Sequence, residues 1–193
     1  KEPPPLISKR LGGLVTAVAE LQDKRLVMIM DVEKVLADTG DFYDENAFEG
    51  IEKIENGKKY KVLYADDSNV ARKQITQTLD KLGVSHVGVV NGALAWKTLD
   101  KLATQCEQEN RNITTEIQVV LTDVEMPEMD GYVLTQKIKA DPRLAHLPVI
   151  MHSSLTAVAN QAMGRGVGSD AYVSKFQPRE LAATIRGFIE STH

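Results

Sequence analysis

The sequence predicts an α/β domain built on a doubly wound, five-stranded parallel sheet, preceded by a small β-hairpin and a short helix. Three observations carry that reading. From Tyr60 onward, short apolar runs rich in Val and Ile alternate with amphipathic stretches. The runs mostly lack the polar alternation of a half-exposed strand, as expected for strands covered on both faces. Residues able to do chemistry stand directly after the runs, where open α/β sheets build their sites.

The elements before Tyr60 have a different texture. Lys1, Glu2, Pro3, Pro4 and Pro5 cannot be helical and read as an extended arm. Two strand-like runs follow, over 13–18 and 25–30, and the polar connection Gln22, Asp23, Lys24 fits a hairpin. Residues 31–37 form a short helix candidate with Asp31 placed to cap it. A hairpin and two helical turns bury too little to fold alone. Residues 1–37 are therefore expected to be the edge of a larger domain, and the chain, which starts at Lys1, a piece of a longer protein. Residues 38–58, acidic and punctuated by Gly40, Gly50 and Gly57, read as a linker or linker-helix.

Residues 59–193 form the α/β domain itself. Its predicted strands are 61–65, 87–90, 117–121, 148–151 and 171–173. Between them, Ala71, Ile75, Leu79 and Leu82 fall on one face of a helix that Gly83 ends. Leu155, Val158, Ala159, Ala162 and Met163 make a second face, and Leu181, Ile185, Phe188 and Ile189 a third. Strand and helix in alternation specify parallel pairing.

Composition narrows the function classes. The 193 residues carry 23 basic and 27 acidic side chains, a net charge of −4. That balance, with no basic stripe, argues against a nucleic-acid partner. Residues 1–58 hold 8 basic and 12 acidic residues, while 59–193 hold 15 of each, so the excess belongs to the front segment. The single cysteine, Cys106, rules out an intrachain disulfide and a Cys-rich zinc site. No apolar run approaches the roughly 18 residues a membrane helix needs, so direct membrane insertion is not expected and a cytoplasmic location is.

The strand ends supply the chemistry. Strand one runs into Asp66 and Asp67, strand three into Asp123 and Glu125, strand four into Ser153 and strand five into Lys175. Clustered carboxylates repel and call for a hard cation, and oxygen-only ligands suit Mg²⁺. A central carboxylate can act as a nucleophile toward phosphorus, with a lysine ammonium and a hydroxyl neutralising the transferring oxygens. Strand-end Asp and Ser also cap helices, but four strand ends converging on one pocket exceed what capping requires.

Taken together, Asp66 and Asp67, Asp123 with Met126, Pro127, Asp130 and Gly131, Ser153, and Tyr172 three residues before Lys175 resemble a two-component receiver domain of flavodoxin-like fold. The resemblance implies that Asp123 accepts the phosphoryl group. It implies Mg²⁺ bound by Asp67, Asp123 and the backbone carbonyl of Glu125, with Asp66 acting through water. Lys175 would pair with the phosphate, and Ser153 and Tyr172 would be the switch pair. The front segment, through Pro3 to Pro5, 14–18 and 26–36, resembles the end of a CheW-like coupling domain. A CheW-like part followed by a receiver is the arrangement of CheV-type chemotaxis coupling proteins. That resemblance implies a signalling adaptor rather than an enzyme, a chemotaxis histidine kinase as phosphodonor, and chemoreceptor cytoplasmic domains as partners through the CheW-like part.

Three departures from the receiver pattern bear on the site. Phe176 follows Lys175 where most receivers carry proline, with Pro178 two places later. Glu125 adds a negative side chain at the mouth of the pocket. Residues 102–116 are longer and more polar than usual. The triplet Asn112, Ile113, Thr114 there is a chance sequon, and Trp96 reads as packing. Two other functions stay open at this point. One is an interaction module that is never phosphorylated; the other is a Mg²⁺-dependent aspartyl phosphatase with Glu125 as acid/base.

Overall fold

The computed structural model describes residues 15–21, 24–30, 45–154 and 158–191. The chain divides into two compact units, Lys1–Asp44 and Glu45–His193. In the first, strands β1 (Val15–Glu20) and β2 (Leu26–Met30) pair antiparallel, with Glu20 opposite Leu26 and a bulge between Val15 and Ala17. The expected hairpin is present, a residue or two later than the apolar runs suggested. Leu26, Val27 and Met28 are exposed on it. The helix expected over 31–37 lies outside the described residues.

The second unit is the α/β domain. It comprises β3 (Lys61–Ala65), α1 (Asn69–Leu82), β4 (Ser85–Val89), α2 (Gly92–Gln108), β5 (Val119–Asp123), α3 (Gly131–Ala140), β6 (Val149–Ser153), α4 (Val158–Gly166), β7 (Ala171–Ser174) and α5 (Pro178–Ser191). Strand order is β4-β3-β5-β6-β7, all parallel. The fold class read from the sequence is the one observed. β5 and β6 each extend two residues past the apolar run, so Asp123 and Ser153 are the last residues of their strands. Strand bounds follow from pairing as well as hydrophobicity: Ala65 lies opposite Thr122, and Asp123 opposite His152.

Alternate strand residues feed two cores. Val62, Tyr64, Val119, Leu121 and Ile150 join Ile75, Leu79 and Leu82 of α1 and Leu181, Ile185 and Ile189 of α5. Leu63, Ala65, Val120 and Val149 join Leu99, Ala103 and Cys106 of α2 and Leu134 and Ile138 of α3. Helix ends are closed as their sequences specify. The Ser68 hydroxyl accepts from the Ala71 amide, and Gly83 ends α1 at φ 73°. Trp96 packs against the second core, with the Lys137 ammonium 4.7 Å from its ring centroid. Asn112 caps a 3-10 turn, its Oδ1 accepting from the Thr114 amide at 2.9 Å.

Two expectations need correcting. On α4, Ala162 and Met163 were read as an inward face, yet both are exposed. The helix meets the sheet through Gly164, where an added Cβ would lie 2.9 Å from Met151 Sδ and 3.4 Å from Tyr172 Cδ2. A residue next to that closest contact is turned about 100° away from it. Leu155 lies outside the described residues.

The stretch 38–58, expected as a linker, is the second correction. Residues 38–44 lie outside the described residues, but 45–58 pack into the second unit. They form 3-10 turns at Glu45–Phe48 and Gly57–Lys59, and bury Phe48, Ile54 and Gly57. The Ile54 amide donates to the Leu82 carbonyl at 2.9 Å, Arg179 to the Asn46 carbonyl at 2.7 Å, and Arg186 to the Glu52 carbonyl. Gly57 approaches the Gly83 carbonyl so closely that a Cβ would sit 2.8 Å from it. This docking yields a prediction. Ile54→Ala should cost about 2–4 kcal/mol in urea unfolding, the usual loss for a buried Ile, whereas a loose linker would show no change.

Candidate functional site

The pocket lies where β3, β5 and β7 end. Asp66, immediately after β3, is completely buried, and its amide donates to the Val89 carbonyl at 3.2 Å. Its Oδ1 accepts from the Ser68 amide at 2.9 Å. Arg72, one turn into α1, donates from Nη1 to the Asp66 carbonyl at 2.8 Å and reaches Asn69 with Nη2. That arginine fixes the backbone that carries the carboxylate.

Asp123 closes β5 and is buried. Its Oδ1 accepts from the Val124 amide at 2.7 Å and its Oδ2 from Lys175 Nζ at 2.9 Å. The Thr122 hydroxyl donates to the Asp123 carbonyl at 2.9 Å. A Cβ at Gly131 would collide with that same carbonyl oxygen, so only glycine fits where α3 starts.

Lys175, just 6% exposed, also lies 3.2 Å from Asp66 Oδ2. A buried ammonium shared by two buried carboxylates offsets part of the cost of removing all three charges from water. Asp67 is exposed beside them, and one carboxylate oxygen from each of Asp66, Asp67 and Asp123 lies within 4.8 Å of the others. Three carboxylates against one ammonium leave a net local charge of about −2, and a hard-oxygen donor set of that charge fits a divalent cation such as Mg²⁺.

The remaining predicted residues stand as follows. Ser153 is buried at the end of β6, opposite Ser174. Tyr172 is partly buried on β7, opposite Met151 and beside Gly164. The Glu125 side chain is exposed in the loop after β5. Phe176 follows Lys175 through a trans peptide, with φ 64°.

Residues 62–186 match the response regulator receiver domain family. The chain belongs to that family. It is therefore a signalling domain rather than an enzyme with a separate substrate. Among relatives, it is 31% identical to chemotaxis protein CheV1 of Helicobacter pylori over 87% of this chain and 50% of that one. It is 29% identical to CheV3 of the same organism, over 91% of this chain and 55% of that one. The chain thus spans about half the length of the curated relatives it matches. Among solved structures, the receiver domain of the histidine kinase CKI1 from Arabidopsis thaliana, complexed with Mg²⁺ and BeF₃⁻, aligns with a TM-score of 0.62 and 28% identity. That alignment covers 70% of this chain and 93% of that one. CheY4 of Vibrio cholerae shares the fold, with a TM-score of 0.53 and 23% identity over 67% of this chain and 98% of that one. No helix among the described residues is long and apolar enough to cross a membrane.

Three residues of this receiver escaped the sequence reading. Arg72 acts through a backbone carbonyl, which leaves no motif. Tyr132, in the first turn of α3, is held above the usual phenol range by burial, then by Tyr172 and the carboxylates of Asp130 and Glu125. His152 carried a readable signal, a polar residue inside the apolar run of β6. It is buried beside the site, and its pKa is pushed down to about 3 by burial first and the Lys175 charge second. Its Nδ1 makes no hydrogen bond among the described residues. A buried, unbonded nitrogen costs about 1–3 kcal/mol. His152→Leu, of similar volume, is therefore expected to raise the urea midpoint or leave it unchanged; a clear fall would show that Nδ1 has a partner.

Proposed function

We propose that the chain is the phospho-accepting part of a CheV-type chemotaxis adaptor, with Asp123 as the acceptor. The observation that carries this reading is the position of Lys175 Nζ, 2.9 Å from Asp123 Oδ2 and 3.2 Å from Asp66 Oδ2. Asp123 presents a buried carboxylate whose Oδ1 is held by the Val124 amide. Its Oδ2 attacks phosphorus, a P–O bond forms, and the bond from phosphorus to the kinase histidine nitrogen breaks, the electron pair leaving with the imidazole. Lys175 then follows the charge, from the two carboxylates to the phosphoryl oxygens.

Asp66, Asp67, Asp123 and the Glu125 backbone carbonyl are the residues that would hold Mg²⁺. The ion supplies neutralisation of phosphoryl charge that one ammonium alone does not complete. Ser153 supplies a hydroxyl donor from the end of β6. Tyr172 lies against Gly164, so a change of its rotamer would alter the face formed by α4 and β7.

The coupling function is assigned to the other unit. The β1–β2 hairpin with exposed Leu26, Val27 and Met28 is in keeping with the edge of a CheW-like domain over 1–37. The CheV relatives, whose alignments cover 87% and 91% of this chain, support that assignment. A chemotaxis histidine kinase is the proposed phosphodonor, chemoreceptor cytoplasmic domains are the proposed partners of the CheW-like part, and the cytoplasm is the proposed location. The receiver adjusts receptor–kinase coupling or drains phosphate from the kinase.

Incubation with Mg²⁺ and radiolabelled phospho-kinase tests the acceptor. Wild type takes up label and Asp123→Asn does not; label on the Asn variant would sink the assignment. Lys175→Ala should slow transfer by roughly 10²-fold, the usual loss on removing one charge-stabilising donor.

A further inference from the structure

The turn between β7 and α5 is short, spanning residues 175–177. Lys175 still belongs to the sheet ladder, its amide donating to the Ser153 carbonyl at 3.0 Å. Two residues later, the Gln177 carbonyl already accepts from the Leu181 amide at 3.0 Å, and Pro178 opens α5, a position that suits its fixed φ. Only Phe176 lies between the last ladder bond and the start of the helix. It lies in the left-handed region, at φ 64°.

That conformation is rare for a bulky residue and persists only where its surroundings impose it. Three anchors impose it here. The Lys175 amide is held by β6, the Lys175 ammonium by Asp123 and Asp66, and Gln177 by the first turn of α5. A different φ at Phe176 would redirect the chain between these anchors. A proline at this position, with φ near −65°, cannot keep the φ observed here.

We propose that Phe176 is a positioning residue: its left-handed backbone, rather than its ring, sets where Lys175 presents its ammonium to the acceptor pocket. The geometric part stands on the turn alone. Its consequence for phosphotransfer rests on the reading of Lys175 given above.

A four-variant series in the full chain separates backbone from ring. Gly and Asn accept positive φ, Val resists it, and Pro forbids it. Two readouts are taken on each variant, with far-UV circular dichroism and urea midpoints to confirm folding. The first is reductive methylation of Lys175 followed by peptide mass spectrometry, which needs no phosphotransfer. Wild type, Phe176→Gly and Phe176→Asn should protect Lys175 about tenfold or more relative to exposed Lys97, while Phe176→Val and Phe176→Pro lose that protection. The second is labelling of Asp123 by phosphoramidate with Mg²⁺. Gly and Asn should stay within about threefold of wild type, and Val and Pro should fall by about tenfold or more, as misplaced charge-stabilising groups do.

Loss of Lys175 protection in the Gly and Asn variants would show that the ring matters and overturn the proposal. Full protection in the folded Val variant would overturn it too, whether or not the Pro variant folds. If the protection series holds while wild type takes no label, the positioning role stands and the phospho-acceptor reading falls.

Discussion

One ammonium between two carboxylates sets the terms for this domain. β3 and β5 are neighbours, and their register brings Asp66 and Asp123 side by side in a place closed to water. Two such charges repel, so the arrangement holds only with a cation between them. The cation must come from β7, two strand spacings from β5, or roughly 10 Å. A long unbranched side chain can span much of that gap and arrive with a compact charge. Lysine has that reach.

Much of the surrounding structure serves this pairing without touching it. Gly131 leaves room for the Asp123 carbonyl, and Arg72 holds the Asp66 carbonyl from one turn into α1. The two apolar cores hold the sheet from opposite faces, and the pocket sits at its rim, where strand register alone decides which residues meet. His152 belongs to the same arrangement: a neutral polar group beneath a concentrated set of charges.

The sequence made some of this legible and hid the rest, for physical reasons. Strands covered on both faces leave apolar runs that need no knowledge of neighbours, so β3 and β7 were readable almost to the residue. The carboxylates and Lys175 were readable because parallel topology gathers strand ends. Residues 45–58 were misread because acidic composition outweighs Phe48, Ile54 and Gly57. Their burial depends on surfaces of α1 and α5 that no local pattern describes. The outward turn of Met163 was hidden for a related reason, since its neighbour Gly164, which shows no apolar side chain in the pattern, lies against the sheet. Phe176 was noticed as a departure, but its consequence could be read only from a backbone angle.

The docked segment 45–58 has a further meaning for the course of the chain over α5. Arg179 and Arg186 stand seven residues apart on α5, two turns along one face, and each grips a backbone carbonyl of that segment, at Asn46 and Glu52. A strand of chain pinned at one point can swivel about it. Pinned at two, it has a heading, and here that heading is dictated by the axis of the last helix. The path of residues 46–52 over the domain is thus tied to the same helix that follows Lys175 and the turn at Phe176.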